Sequence, residues 1–485
     1  MLTPTIADAA RLIAARKLSP VELVEHCVAR ISALDGDLHC FIAITEDRAR
    51  QEAKAAESRM MAGTLRGRLD GVPIAHKDIF ATRGIATTAH SRLLDRWFPA
   101  EDAHVVTLLA DAGTVMLGKL TTHEFALGGP SFDLPWPPAR NPWDIERFTS
   151  GSSSGSAAAI AAGLVLGATG SDTGGSIREP AALCGVAGLK PTFGLCSRTG
   201  VLPLAFSLDH PGVLAWTVED CAILLQAVAG HDPRDPASRC RLAPDFSARL
   251  GRHAKGVRIG VVPRWHETEC TVSEAVRRAY ENALSIWRAQ GAQIVELDMP
   301  ALRDYQAVTI AIMLCEAFAI HEPWMRERFA DYGEIFRDRV ALGALISGAD
   351  YLQALRRRSE LCVLTLEAAS GVDVIATPGA VNEAPPIGSV TKWGFLTSSS
   401  FAKPFNVTGW PAISVRSGFG DHNLPVAVQI AAKPFQEPLL LQVAHAFERA
   451  ADMDVARPSV PTGPSVQPQQ AGLLRPGRDA PSTNA

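Results

Sequence analysis

Between positions 4 and 34 apolar residues recur at three- and four-residue spacing, in TIADAARLIAARKLSPVELVEHCVARISAL. That period predicts helix, restarted at Ser19-Pro20, where proline suits an early helical position. ITEDRARQEAKAAESRMMAG (44–63) predicts a charged surface helix closed by Gly63. LDGVPIAHKDIF (69–80) starts on an Asp-Gly turn and enters a short apolar segment. AHVVTLLADAG (103–113) predicts an amphipathic helix closed by glycine, and VMLGKL (115–120) a buried strand. AAAIAAGLVLGATGSD (157–172) reads as helix, glycine, then short buried strand, and IREPAALCG (177–185) starts another helix. VRIGVV (257–262) is a strand, and residues 272–298 give helix then strand. This alternation predicts an α/β fold, a mixed β-sheet core surrounded by helices. Residues 1–456 read as one domain, with a long Pro-, Asp- and Arg-rich connection at 230–256. The proline-rich tail, 457–485, is expected to be disordered.

The 485 residues are 47% apolar, ample for a large core, and carry a formal charge of −4. No basic stripe points to nucleic acid and no polybasic run to a membrane surface. No uninterrupted apolar run reaches the ~18 residues of a membrane span, and the N-terminus lacks the pattern of a secretion signal. The nine cysteines are scattered singly without C-x-x-C, as buried small hydrophobes in a reducing compartment would be. The expected location is the cytoplasm. The 13 histidines show no H-E-x-x-H spacing, so neither metal nor cofactor is expected.

Three stretches carry candidate chemistry. Lys77 lies in GVPIAHKDIF among Ile74, Ala75, Ile79 and Phe80. A lysine there usually snorkels to solvent, but if buried its amine loses its proton readily and can serve as a base. TSGSSSGSAAAIAAG (149–163) is either a flexible loop capping a helix or a loop holding a serine for chemistry. Gly151–Gly155 match G-x-S-x-G, yet the preceding ARNPWDIERFT is no strand, so the hydrolase elbow is rejected. GSDTGGSIREP (170–180) places Gly174, Gly175 and Ser176 before a helix, where successive N–H groups can receive an oxyanion. A helix and a strand joining Ser152 to Ser176 can return the chain to the same place. Two S-x-x-K matches, Ser389–Lys392 and Ser400–Lys403, are discounted because the K-T-G partner is absent.

With GVPIAHKDIF, ARNPWD, the long stretch from SGSSSGSAAAIAAG through SDTGGSIREPAALCGVAGLKPTFG, and LPVAVQIAAKPF, the chain resembles the amidase signature family over roughly residues 5–450. The resemblance implies a Ser–cis-Ser–Lys triad: Ser176 as nucleophile, Ser152 as bridging cis serine, Lys77 as base. It also implies an oxyanion hole from the N–H groups of Thr173, Gly174, Gly175 and Ser176. Ser153, Asp172 and Arg178 are expected to support the loop. The family loop commonly reads G-G-S-S-G-G-S; here Ser150 and Ser154 replace the glycines at its first and fifth positions. Glu179 stands where the family more often has an apolar or neutral residue.

The resemblance implies an amidase that hydrolyses a carboxylic acid amide to acid plus ammonia or amine. No charged cluster is evident around Phe125, Trp136, Trp143, Trp393 or Phe395, so a neutral aryl or alkyl amide or anilide is favoured. The expected partner is a small-molecule amide, with neither nucleic acid nor membrane, and the resemblance allows a homodimer. The alternative within the family is the glutamyl-tRNA(Gln) amidotransferase A subunit, which makes ammonia from glutamine with partner subunits. Against it stands Gln436 in AKPFQEP, where that subunit's P-F-D-E has an acid.

Overall fold

The N-terminal apolar period breaks into two helices, α1 (Ile6–Ala14) and α2 (Pro20–Leu38), because Ser19 caps the second. Its hydroxyl accepts from Val21 and Glu22 N–H, while the Glu22 carboxylate accepts from Ser19 N–H. This computed structural model describes residues 3–451 and 457–460. After α2 come β1 (Phe41–Ile44), α3 (Glu46–Ala62), β2 (Pro73–Lys77), α4 (His104–Asp111) and β3 (Val115–Leu120). Gly63 ends α3 in the left-handed conformation, φ 71°, as the sequence predicts. The central segment holds α5 (Ser154–Ala161), β4 (Gly167–Asp172), α6 (Arg178–Cys184), β5 (Ala187–Lys190), β6 (His210–Ala215) and α7 (Val218–Val228). The remainder adds β7 (Arg258–Val261), α8 (Glu274–Ala289), β8 (Gln293–Glu296), α9 (Leu302–Glu327), α10 (Glu334–Ala341), α11 (Gly348–Ala368) and β9 (Val374–Pro378). The last elements are α12 (Gly394–Thr397), α13 (Lys403–Val407), β10 (Ala412–Phe419), β11 (Pro425–Ala432) and α14 (Glu437–Ala450).

The described strands form a single mixed sheet in the order β1-β3-β2-β4-β6-β5-β10-β11-β9-β7-β8. β2 runs parallel to both β3 and β4, whereas β6, β5, β10 and β11 follow antiparallel. β2, β4, β5 and β6 are buried along their whole length. Buried on both faces, they show no alternation of apolar and polar positions, and the small residues of β4 let α5 pack closely on it. The expected mixed sheet wrapped in helices is what the chain forms.

The 230–256 connection contains no helix or strand, yet it is anchored: Phe246 and Ala254 are fully buried. Residues 457–460 depart from the expected disordered tail. The Arg457 guanidinium lies 4.3 Å over the Trp216 ring and donates to the Ile160 carbonyl, while Val460 packs on the core. The rest of that tail lies outside the described residues. Helix α9 is long and apolar enough to cross a membrane, and half of that stretch is buried within the protein. No uninterrupted apolar run marks it in the sequence, because Asp304, Glu316 and His321 break it. Five of the cysteines (Cys27, Cys40, Cys184, Cys196, Cys221) are buried free thiols, as expected.

Candidate active site

Lys77 ends β2, and burial there is complete. Its Nζ lies 2.6 Å from Ser152 Oγ, 2.8 Å from Ser171 Oγ and 3.1 Å from Ser153 Oγ. Burial pushes the amine down to about 7, against the opposing pull of Asp172 and Asp209. The lysine therefore does not snorkel; it ends inside a cage of three hydroxyls. Ser171 carried no signal in the sequence, since nothing in GATGSD marks one serine of a buried strand.

The loop before α5 approaches the turn before α6. Ser153 N–H donates to the Ser176 carbonyl at 3.1 Å, and Ser153 Oγ lies 3.3 Å from both the N–H and the carbonyl oxygen of Ser171. The helix-and-strand return between Ser152 and Ser176 thus juxtaposes the two loops. Gly151 sits at φ 48°, and a Cβ there would come within 2.5 Å of Pro180 Cδ and 3.1 Å of Ser176 Cα. The expected cis bond at Ser152 is not formed; the cis peptide among the described residues is Gly129–Pro130. The turn is made instead by two consecutive positive φ angles, at Ser150 (64°) and Gly151. A left-handed serine costs energy that glycine would not. Ser150→Gly is therefore expected to stabilise the protein by up to about 1 kcal/mol after the added freedom of the unfolded chain is subtracted. An unchanged or lowered denaturant midpoint would refute this. The other replaced glycine, Ser154, opens α5 and is buried, its hydroxyl without a partner among the described residues.

The 173–177 turn is organised by the Asp172 carboxylate. It accepts from Gly175 N–H (2.8 Å), Ile177 N–H (3.1 Å) and Asn406 Nδ2 (2.8 Å), and it pairs with the buried Arg178 guanidinium at 2.9 Å. Arg178 also reaches the Ala402 carbonyl, Gln429 Oε1 and Asn406 Oδ1. Both residues support the loop, as expected; Asn406 and Gln429 were not foreseen because they arrive from more than 200 residues away. Gly175 is a correction: its N–H is already engaged by Asp172, so it does not join Thr173, Gly174 and Ser176 on the cavity wall. Thr173 is held by its hydroxyl, which donates to Asp209 at 2.6 Å.

A cavity of about 530 Å³ opens onto Ser176. Its wall includes His123, Glu179, Arg339, Phe395 and Lys403. The expectation of an uncharged pocket is thus overturned. Arg339, from α10, is 4% exposed and lies 4.3 Å over the Phe395 ring. Its Nε donates to the Lys392 carbonyl at 2.7 Å, and among the described residues no carboxylate pairs with it. Sequence reasoning missed it, since one arginine in EIFRDRVALG has no distinguishing signal. Of the aromatic residues weighed from the sequence, Phe395 alone lines the cavity. Trp143 donates to the Cys184 carbonyl, Trp136 packs edge-on to His90, Phe125 is buried against His321 and Phe336, and Trp393 is exposed. Gln436 is exposed just before α14 and does not line the cavity.

The family model described as Amidase matches residues 22–441. This chain belongs to the amidase family. It is accordingly an enzyme that acts on C–N bonds of amides other than peptide bonds. It is 40% identical to the A subunit of the glutamyl-tRNA(Gln) amidotransferase of Anaeromyxobacter sp. (strain K), over 92% of this chain and 95% of the relative. Among solved structures, it is 32% identical to the A subunit of the glutamyl-tRNA(Gln) amidotransferase of Thermotoga maritima, with TM-score 0.80, covering 95% of this amidase and 98% of that chain. It is 30% identical to the peptide amidase of Stenotrophomonas maltophilia, with TM-score 0.83, covering 94% and 99%. The expected partners, a small-molecule amide and at most a second copy of the chain, are corrected by these relatives: the A subunits are components of a multi-subunit amidotransferase.

Proposed function

We propose that this amidase releases ammonia from the side-chain amide of glutamine, as the hydrolysing component of a multi-chain amidotransferase in the cytoplasm. The observation that carries this reading is Arg339, a buried guanidinium without a carboxylate partner among the described residues, on the wall of the cavity that holds Ser176. A buried cation is costly unless an anion meets it, and a guanidinium fork matches a carboxylate. The α-carboxylate of an amino acid amide supplies that anion; a neutral aryl or alkyl amide does not. Near-full-length similarity to the A subunits of that amidotransferase supports the same reading.

The chemistry follows from the caged lysine. A neutral amine has two N–H groups and one lone pair, so one of its three hydroxyl partners must donate to it. The shortest contact, 2.6 Å to Ser152, is assigned that role. Ser152 passes its proton to Lys77 as it takes one from Ser176, and Ser176 Oγ bonds to the amide carbon. The oxyanion rests on the N–H groups of Thr173, Gly174 and Ser176. As the C–N bond breaks, the relay returns the proton to the leaving nitrogen and ammonia departs. Water then attacks the ester by the same relay, releasing glutamate and restoring Ser176.

Because the relay needs the uncharged amine, kcat/KM is expected to rise with pH through about 7, the value to which burial lowers Lys77. A profile flat between pH 6 and 8 would exclude Lys77 as the base. The functional reading itself is tested by ammonia release from glutamine, with and without the co-expressed neighbouring subunits, beside benzamide, an anilide and short aliphatic amides. Glutamine cleavage supports it. Cleavage of aryl amides but not of glutamine in either state would favour a free-standing amidase, a reading that the 530 Å³ cavity accommodates.

A further inference from the structure

Glu179 lies three residues past Ser176, in the first turn of α6, and faces the same cavity. Its carboxylate packs against Gly175: a Cβ on that glycine would meet Glu179 Cδ at 2.7 Å. Ser400 Oγ donates to Glu179 Oε1 at 2.7 Å, which fixes the carboxylate in place. Among the described residues no Lys, Arg or His lies within ion-pairing distance of it. The nearby cation, Lys403, turns its ammonium to the Ser398 carbonyl at 3.4 Å. A negative charge thus faces the cavity that Thr173, Gly174 and Ser176 line, where a substrate oxyanion would develop. Alone, that charge opposes the anionic transition state. A cation brought by the substrate removes the penalty.

We infer that Glu179, oriented by Ser400, is the specificity residue that selects an amide substrate bearing an ammonium group. The inference rests on the reading of this cavity as an amino acid amide site, and it deepens that reading: Arg339 meets the carboxylate and Glu179 meets the ammonium. A substrate carrying the ammonium both binds the carboxylate and cancels its field, so discrimination appears in kcat/KM. An anionic amide lacking the ammonium meets repulsion from Glu179 that Arg339 only partly offsets.

The test compares primary amides that differ only in the ammonium group: glutamine against glutaramate, and 4-aminobutanamide against butanamide. The wild-type enzyme is expected to prefer the ammonium member by about 10- to 100-fold, the range for a hydrogen bond to a charged group. Glu179→Gln is expected to bring the ratio close to one, and Ser400→Ala to lower it part-way, which keeps the test open if the first variant fails to fold. A general structural defect would lower both members of a pair together and leave the ratio in place. If glutamine is not cleaved but 4-aminobutanamide is preferred over butanamide and Glu179→Gln erases the preference, the inference stands and the glutamine reading falls. If glutamine and glutaramate are cleaved alike, or the ratio survives in both variants, the inference is overturned and the glutamine reading stands. If no amide of the four is cleaved, glutamate and glutarate are titrated onto Ser176→Ala. Tighter glutamate binding that Glu179→Gln removes supports the inference; equal or absent binding overturns it.

Discussion

Replacing Ser176 with alanine is expected to lower amide hydrolysis by about four orders of magnitude or more, while substrate still binds. The methyl group cannot form the acyl-enzyme, and Ser152 and Lys77 would then have no nucleophile to serve. The residual rate would come from water held at the oxyanion site. Ser176 is half-buried on the cavity wall and, among the described residues, no side chain bonds to its hydroxyl, so folding is expected to survive the change. The measurement is ammonia release by the purified variant, beside its binding of glutamine by calorimetry. Loss of hydrolysis with retained binding fits the nucleophile assignment. Wild-type activity in the variant would move the nucleophile elsewhere, with Ser152 the first alternative.

The largest effect on stability is expected at Arg178. Arg178→Met strips the counter-charge from a fully buried carboxylate and leaves Asn406, Gln429 and the Ala402 carbonyl short of a donor. Breaking a buried pair from one side costs about 3–5 kcal/mol, so a shift of that size in the denaturation free energy is expected. The pH dependence gives a second readout. Burial alone would raise the Asp172 pKa, but the Arg178 guanidinium outweighs it and holds the carboxyl well below the ordinary carboxylate range. In the wild type the folded state therefore keeps Asp172 ionised, and the stability this contributes is lost only as pH falls below that range. In Arg178→Met the largest downward pull is gone, leaving only Lys190, Asn406 and the Gly175 and Ile177 N–H groups against burial, and the folded pKa is expected to rise above the unfolded one. The sign reverses: the folded state now binds the extra proton, and stability falls as pH rises through that interval. The deficit relative to wild type should be larger at pH 8 than at pH 5. An equal deficit at both would mean that the side chain acts by packing and not by charge.

Local pattern determined much of this protein. The 3.6-residue period, Ser19-Pro20 and Gly63 mark α2 and α3, and the short apolar runs at 115–120 and 257–262 mark β3 and β7, because capping and burial act within a few residues. The segments proposed to carry the chemistry stand out as well: the stretches holding Lys77, Ser152 and Ser176 carry the family resemblance, and the fold brings those segments together.

What only the tertiary structure decided is everything that joins distant segments. Ser171 became a third hydroxyl of the lysine cage because β4 lies beside β2. Gly175 N–H is lost to the proposed oxyanion site because the Asp172 carboxylate turns back onto it, and the loop geometry fell to Ser150 and Gly151 rather than to a cis bond. The pocket's charges were misread for the same reason: Glu179, Arg339 and Lys403 lie on three separate helices, and Gln436, which seemed to matter, ended on the surface. A residue's type and its neighbours set its local conformation. Its pKa, its partner and its access to substrate depend on which remote segments close around it, and no local pattern encodes that.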